Sequence, residues 1–546
     1  MSSTLAGSGE ATAPAQVDAV IVGAGFSGLY MLHKLRETGL NAVVLEAGDG
    51  VGGTWYWNRY PGARVDVEGF DYSYSFSEDL QQEWEWTERY PARPELLRYL
   101  NHVADRFGLR PDIRLNARVA SAHYDEAAMS WTVCTERDEE YRATWCVMAT
   151  GCLSSSQLPA IDGIDSFAGD WFHTARWPVG GVDFTGKRVA VIGTGSSGIQ
   201  SIPIIAEQAA RLTVFQRTAA FAIPARNRDL EPGEVKEIKA RYPELRDRAR
   251  HGFVGMSRVP EGSTSALEAT ADERQEVFAE IWAAGTLSGL TTSYRDVMTD
   301  RTVNDQVADF VRGKIREIVD DPATAERLCP RGYPFGAKRP CLDTGYYATY
   351  NRDNVRLVDV SENPIERLSE RGVVVGGTEH GADVIVFATG FDAMTGSLAS
   401  IDIRGRSGRT LRGKWSAGPV TYLGLQSAGF PNLFLVAGPG SPSVLTNMVM
   451  SIEQHVEWIA ECIGYARERG VVAVEATERA EQDWVRHVNE VSEALLYSEA
   501  NSWYLGANVS GKPRVFMPYA GGLGTYRERC DVVAAAGYEG FVLTAG

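Results

Sequence analysis

Two residues of opposite charge, Glu46 and Arg217, each close a strand, glycine loop, helix and strand pattern, and the contrast between them carries the first chemical reading of the chain. The segment VDAVIVGAGFSGLYMLHKLRETGLNAVVLEAG reads as an apolar strand, the loop Gly23-x-Gly25-x-x-Gly28, an amphipathic helix and a second strand ending at Glu46. Such a unit suits a dinucleotide: the glycines allow close backbone approach to a pyrophosphate at the positive helix end, and the acid accepts hydrogen bonds from ribose hydroxyls. A second unit, FTGKRVAVIGTGSSGIQSIPIIAEQAARLTVFQRT, carries Gly193-x-Gly195-x-x-Gly198 but ends at Arg217. An acid there would repel a 2′-phosphate, whereas a guanidinium pairs with it in bidentate fashion and stacks on adenine. The second site is therefore expected to take NADPH, through its loop residues Thr194, Ser196 and Ser197, through Arg217 and Thr218, and with Lys338 as a second cation.

Two different dinucleotides in one chain point to a flavin reduced by a nicotinamide. The acid-ended site is expected to hold FAD, with Ser27 in its loop and Val119 assigned to the same site. The neighbouring stretch GGTWYWNRYPGARVDVEGFDYSY offers Gly53, Thr54, Trp55, Trp57, Asp66 and Tyr72 around an isoalloxazine. Near the C-terminus, TNMVMSIEQHVEWIAECIGYARERG has helical periodicity, and its N-terminus would bring the backbone of Met448 to the flavin.

These elements must be positioned by an α/β fold of two Rossmann-like dinucleotide-binding domains with a helical insertion. Two strand ends, VMATG at 147–151 and VFATG at 386–390, resemble the crossovers of flavoproteins that bind two dinucleotides, so the NADPH domain is expected to be inserted into the FAD domain. The expected order is a disordered tail (1–16), the first part of the FAD domain (17–150), and the first part of the NADPH domain (151–225, with a linker over 151–186). A mostly helical insertion (226–335), the second part of the NADPH domain (336–385) and the second part of the FAD domain (386–546) follow.

A net charge of −17 without a basic stripe argues against nucleic acid or an anionic membrane as partner. Seven scattered cysteines with no C-x-x-C fit a reducing cytoplasm and oppose a disulfide framework, a dithiol redox enzyme or a metal site. No apolar stretch of membrane-spanning length occurs.

The stretch FAGDWFHTARWP, with Phe167, Gly169, His173, Trp177 and Pro178, resembles the fingerprint of type I Baeyer–Villiger monooxygenases; related flavin N-oxygenases tend to carry Tyr or Phe in place of the Trp. A second family pattern is met by Gly52, Gly53, Trp55, Tyr60, Pro61, Gly62 and Asp66. Stretches such as NRDNVRLVD and SWYLGANVSGKPRVFMP look like the steroid and phenylacetone monooxygenase branch. The resemblance implies oxidation of a ketone, bulky aryl, steroid-like or cyclic, to an ester or lactone through a flavin peroxide, with NADPH and dioxygen consumed. It further implies that Arg339 stabilises the peroxide and the developing oxyanion, that Asp66 orients Arg339, and that Arg64 and Trp503 help to hold NADP. His173 lies between a crossover and the strand near Lys187, so it is read as a connector that couples the domains, not as an acid or base. The competing readings are N- or S-oxygenation, a non-catalytic flavin- and NADP-binding regulator, and a disulfide reductase, the last opposed by the missing C-x-x-C. Cys152 and Pro340 are given no role.

Overall fold

A computed structural model describes residues 14–546. The first βαβ unit forms as its glycine and apolar pattern predicts: β1 (Ala15–Val22), a helix (Phe26–Glu37) and β2 (Ala42–Leu45). Parallel pairing of Ala19 with Ala42 and of Ala15 with Tyr141 places β1 between β2 and β6 (Glu140–Met148). With β3 (Ile113–Arg114), β4 (Val119–Asp125) and β5 (Ser130–Thr135) these strands build one side of an eight-stranded sheet. The expected tail falls mainly outside the described residues, but its last two, Ala15 and Gln16, lie in β1 opposite Tyr141 and Arg142 and are ordered.

The second βαβ unit sits in a separate five-stranded parallel sheet. Its strands are β7 (Asp170–His173), β8 (Arg188–Ile192) and β9 (Arg211–Gln216), joined later by β12 (Val355–Asp359) and β16 (Val384–Phe387), in the order β12-β9-β8-β16-β7. The short strands β10 (Ala222–Pro224) and β11 (Cys341–Asp343) pair in parallel between them. A three-stranded antiparallel sheet of β13 (Ile365–Ser369), β14 (Gly372–Val375) and β15 (Thr378–Gly381) precedes β16. The chain then returns to the first sheet through β17 (Asp402–Arg404) and β18 (Leu433–Leu435), which pair with β4 and β6.

Three sequence expectations need correction. The boundary after 385 cuts through β16, whose four buried apolar residues pair with β7 and β8, so the second sheet extends to Phe387. The linker 151–186 is not all linker, because β7 is an edge strand of that sheet. The insertion is helical but serves two cores. Val235, Ile238, Tyr242 and Leu245 of its first two helices (Pro232–Ala240, Tyr242–His251) pack with the first domain. Phe278 and Trp282 of Ala271–Ala284, and Val307 and Val311 of Arg301–Ile318, pack with the second. The β10–β11 pair ties the two ends of this excursion together.

Candidate functional site

The loop Gly23–Gly28 faces the turn at Gly52 and Gly53. A Cβ on Gly53 would lie 2.8 Å from the Cα of Gly25, and Gly53 has φ +52, so the two loops form a narrow cradle that only glycine permits. The amides that begin the helix after Gly25 open into it, with Ser27 and Gly28 buried in its first turn. Glu46, 4% exposed, accepts from the amides of Ala24 and Gly48 at 2.7 Å each. Burial raises its pKa and those two amides lower it. Each carboxylate oxygen keeps a further lone pair for a hydroxyl. The Trp55 indole N–H is buried without a hydrogen-bond partner, and its ring stands edge-on to Tyr72 at 5.8 Å. Thr54 and Trp57 begin and end the same short helix. Val119 starts β4, two residues after Ala117, whose amide donates to Glu46 O. Met448 is the first residue of the helix Met448–Glu468, capped by Asn447. A glycine cradle, a strand-end acid and an orphaned indole donor fit a flavin dinucleotide.

The second loop fits the other dinucleotide. Gly193, Gly195 and Gly198 lead into the helix Ser196–Gln208, and Thr194 Oγ1 donates to Thr218 O at 3.1 Å, which fixes the loop beside the end of β9. Ser197 is buried and accepts from Thr174 Oγ1 at 3.3 Å. Lys338 has its pKa lowered by burial and then by the charge of Arg217. Its ammonium lies 4.7 Å from the Tyr333 ring centre. Among the described residues neither cation has a carboxylate within 4.0 Å. Two cations facing each other without an acid form a site matched to a doubly charged phosphate.

Between the loops, Arg339 joins both domains. It stands two residues before β11, and its Nε and Nη2 donate to Asp66 Oδ2 and Oδ1 at 2.9 and 3.0 Å. Nη1 donates to Val444 O at 2.7 Å. The side chains are 19% and 25% exposed for Arg339 and Asp66. Burial pulls the guanidinium pKa down, and the charge and hydrogen bonds of Asp66 outweigh it, so Arg339 is held firmly protonated. Tyr504, 1% exposed, closes over this pair, and burial raises its phenol pKa. Cys341 is buried beside it, its thiol pushed up to about 11 by burial. Sequence reasoning missed Val444 and Tyr504. A carbonyl acceptor leaves no mark in residue type, and Tyr504 was within one residue of Trp503.

The remaining expected residues are placed as follows. The Arg64 guanidinium donates to Glu88 Oε2 and Tyr90 O, both at 2.6 Å, and so is engaged within the first domain. Trp503 packs against Tyr504 with ring centres 4.4 Å apart. His173 ends β7 instead of lying in a free connector. Its Nδ1 accepts from the Ala175 amide at 3.1 Å, which leaves the ring proton on Nε2, within 3.2 Å of Gln157 O and Thr389 Oγ1. Burial lowers its pKa, in keeping with a neutral ring. Thr389 lies in the 386–390 crossing and Gln157 in the segment that follows the 147–151 crossing, so His173 bridges one crossing to the chain just beyond the other. The rest of its motif pins the edge strand: Phe167 packs with Ala190 and Ile192, and Trp177 with Val189 and Val191, on opposite faces of β8. A Cβ on Gly169 would lie 2.3 Å from Asp383 O, so the glycine permits that contact.

Residues 20–251 match a protein family described as "Pyridine nucleotide-disulphide oxidoreductase". The match spans both glycine loops, while all seven cysteines here are free thiols. The chain is 44% identical to an acetone monooxygenase (methyl acetate-forming) of Gordonia sp. (strain TY-5), over 97% of this chain and 99% of the relative. It is 43% identical to a phenazine N-monooxygenase of Lysobacter antibioticus, over 96% and 97%. Identity to a Baeyer-Villiger monooxygenase of Pseudooceanicola batsensis is 42%, over 97% of each. Among solved structures, an oxidized steroid monooxygenase bound to NADP superposes with a TM-score of 0.93 at 53% identity, covering 97% of this chain and 100% of that one. An OTEMO complex with FAD and NADP gives 0.94 at 40%, covering 98% and 100%.

Proposed function

The chain belongs to the Baeyer–Villiger monooxygenase family, and from that membership we propose that it oxidises bulky aryl, steroid-like or cyclic ketones, with Arg339, oriented by Asp66, stabilising the anion that develops during the reaction. It is an FAD- and NADPH-dependent enzyme that turns ketones into esters or lactones with dioxygen. FAD and NADPH, when bound, supply the hydride and the activation of dioxygen. The remaining work falls to side chains.

The observation that carries the reading is the hydrogen-bond count at Arg339. A guanidinium has five N–H donors. Two are taken by Asp66 and one by Val444 O, which leaves one N–H on each Nη for an anionic oxygen. Asp66 holds the plane of those donors and keeps the charge at any working pH. Buried Cys152, Met394, Val444, Tyr504 and Phe516 form one apolar cluster that reaches Arg339 through Val444 and Tyr504, a wall on one side that limits water and so strengthens each charge interaction. Unbranched Met394 and the partly buried Met448 let that wall adapt to large, irregular ketones. Glu46 and the Gly25–Gly53 cradle would hold FAD, and Arg217 and Lys338 the 2′-phosphate of NADPH. His173 would couple the two domains at their crossings.

Among the described residues no helix is long and apolar enough to cross a membrane. Seven free thiols support a reducing compartment, the cytoplasm, as the place of action. The phenazine N-monooxygenase relative makes N-oxygenation the reading to test against. A panel of ketones, amines and thioethers assayed by product mass separates them. Ester formation with one atom from dioxygen is expected. Oxygenated amines or thioethers with only hydrogen peroxide from ketones would overturn the substrate class.

A further inference from the structure

One face of the helix Ser196–Gln208 grips both chains that carry the Asp66–Arg339 pair. Ser196 and Gln200 are four residues apart and so lie on the same helix face. Ser196 Oγ is 3.3 Å from Cys341 Sγ, two residues beyond Arg339. Gln200, 8% exposed, reaches the other chain. Its Oε1 accepts from Tyr60 OH at 2.9 Å and from the Arg64 amide at 3.4 Å, and its Nε2 donates to Arg64 O at 3.0 Å. The loop also presses on the helix backbone: Gly62 has φ +80, and a Cβ there would lie 2.1 Å from Gln200 O. The loop Tyr60–Asp66 belongs to the first domain, and the helix to the second.

We propose that Gln200 is a positioning residue that sets the Tyr60–Asp66 loop, and through Asp66 the Arg339 guanidinium, from the helix whose N-terminus is matched to the NADP pyrophosphate. The side-chain amide satisfies both the N–H and the C=O of Arg64, which belong to the two successive peptide groups on either side of its Cα. It therefore fixes that residue's backbone in position and in rotation, which an apolar contact would not. Asp66 is two residues further along and holds Arg339 in bidentate fashion, so a rotation of the loop is passed to the guanidinium plane. A shift of the helix on binding NADP is thereby felt at Arg339. The role rests on Arg339 acting as the anion-stabilising group.

The test uses the full-length, FAD-loaded protein and its Gln200→Leu variant. Hydrogen–deuterium exchange is followed over residues 62–66 with and without NADP+, and ester yield per NADPH is measured with an accepted ketone. In the wild type NADP+ is expected to slow exchange in the loop. In Gln200→Leu that slowing is expected to vanish, and ester formation to fall about 10- to 100-fold, the scale of a misplaced catalytic group. The affinity for NADP+ should stay close to wild type. Tyr60→Phe, which removes one hydrogen bond and no volume of note, should give the same pattern at about fivefold. In an Asp66→Ala background, Gln200→Leu should cost nothing further, because both act through one path. NADP+-dependent protection retained in Gln200→Leu, additive losses in the double variant, or a loss confined to NADP+ affinity would each overturn the proposal. Wild-type protein that forms no ester from any ketone would instead overturn the reaction assignment.

Discussion

Arg339→Lys keeps a positive charge and changes its geometry, and so isolates what the guanidinium plane contributes. In the protein three N–H groups are committed, two to Asp66 and one to Val444 O, and two on separate nitrogens stay available. An ammonium carries three N–H groups on one atom. Holding Asp66 and Val444 uses two of them, and the last points from a single position nearer the backbone. One oriented donor is thus lost, on the order of 100- to 1000-fold in rate, or about 3 to 4 kcal/mol. Arg339→Ala loses the charge as well and should fall at least as far. Rapid-mixing measurement of anaerobic flavin reduction by NADPH should give near wild-type rates for Arg339→Lys, while ester per NADPH collapses and hydrogen peroxide takes its place. Ester formation close to wild type in folded, FAD-loaded Arg339→Lys would refute the donor-counting argument, because charge alone would then suffice.

Other expectations are equally direct. Arg217→Ala removes a charge-assisted contact worth about 1.5 to 3 kcal/mol, so the KM for NADPH should rise about 10- to 150-fold and that for NADH little; equal effects on both would remove the phosphate assignment. Lys338 has a lowered pKa and, as the proposed second phosphate cation, would act only when charged, so NADP+ affinity should fall as pH rises through that pKa, below the ordinary lysine range. Because Arg217 contributes to the lowering, Arg217→Ala should move the step to higher pH, and an unmoved step would show that the two cations do not share a site. His173→Ala should retain FAD and slow the NADP-linked oxygenation, and unchanged turnover would leave the motif with a purely structural part.

Much of this arrangement was legible because it rests on backbone chemistry that few residues permit. Both glycine loops and the strand-end residues Glu46 and Arg217 follow from residue type and spacing alone, whereas the absence of an acid beside Arg217 and Lys338 among the described residues shows only in the fold. The strand Val384–Phe387 was split between the two domains, its last two residues assigned to the wrong one, because a run of four buried apolar residues suits either sheet, and only its partners decide. The strand Asp170–His173 was missed for a related reason: it is short and aromatic, and an edge position with one partner imposes no alternation. Arg64 shows what residue type alone does not reveal. The family resemblance assigns it to NADP, while its partner Glu88 is brought beside it only by the fold.

Arg339 is carried by one domain and anchored in the other, at Asp66 and at Val444, and this constrains how such enzymes can be recombined. A chimaera that takes its nicotinamide-binding half from one parent and its flavin-binding half from another joins residues 338–341 of the first to residues 60–66 and 443–447 of the second. Those three short segments form one inherited unit, however far apart they lie along the chain. Crossover points that keep them from a single parent should give functional offspring, while points that separate them should give proteins that fold, bind both nucleotides and waste the reductant.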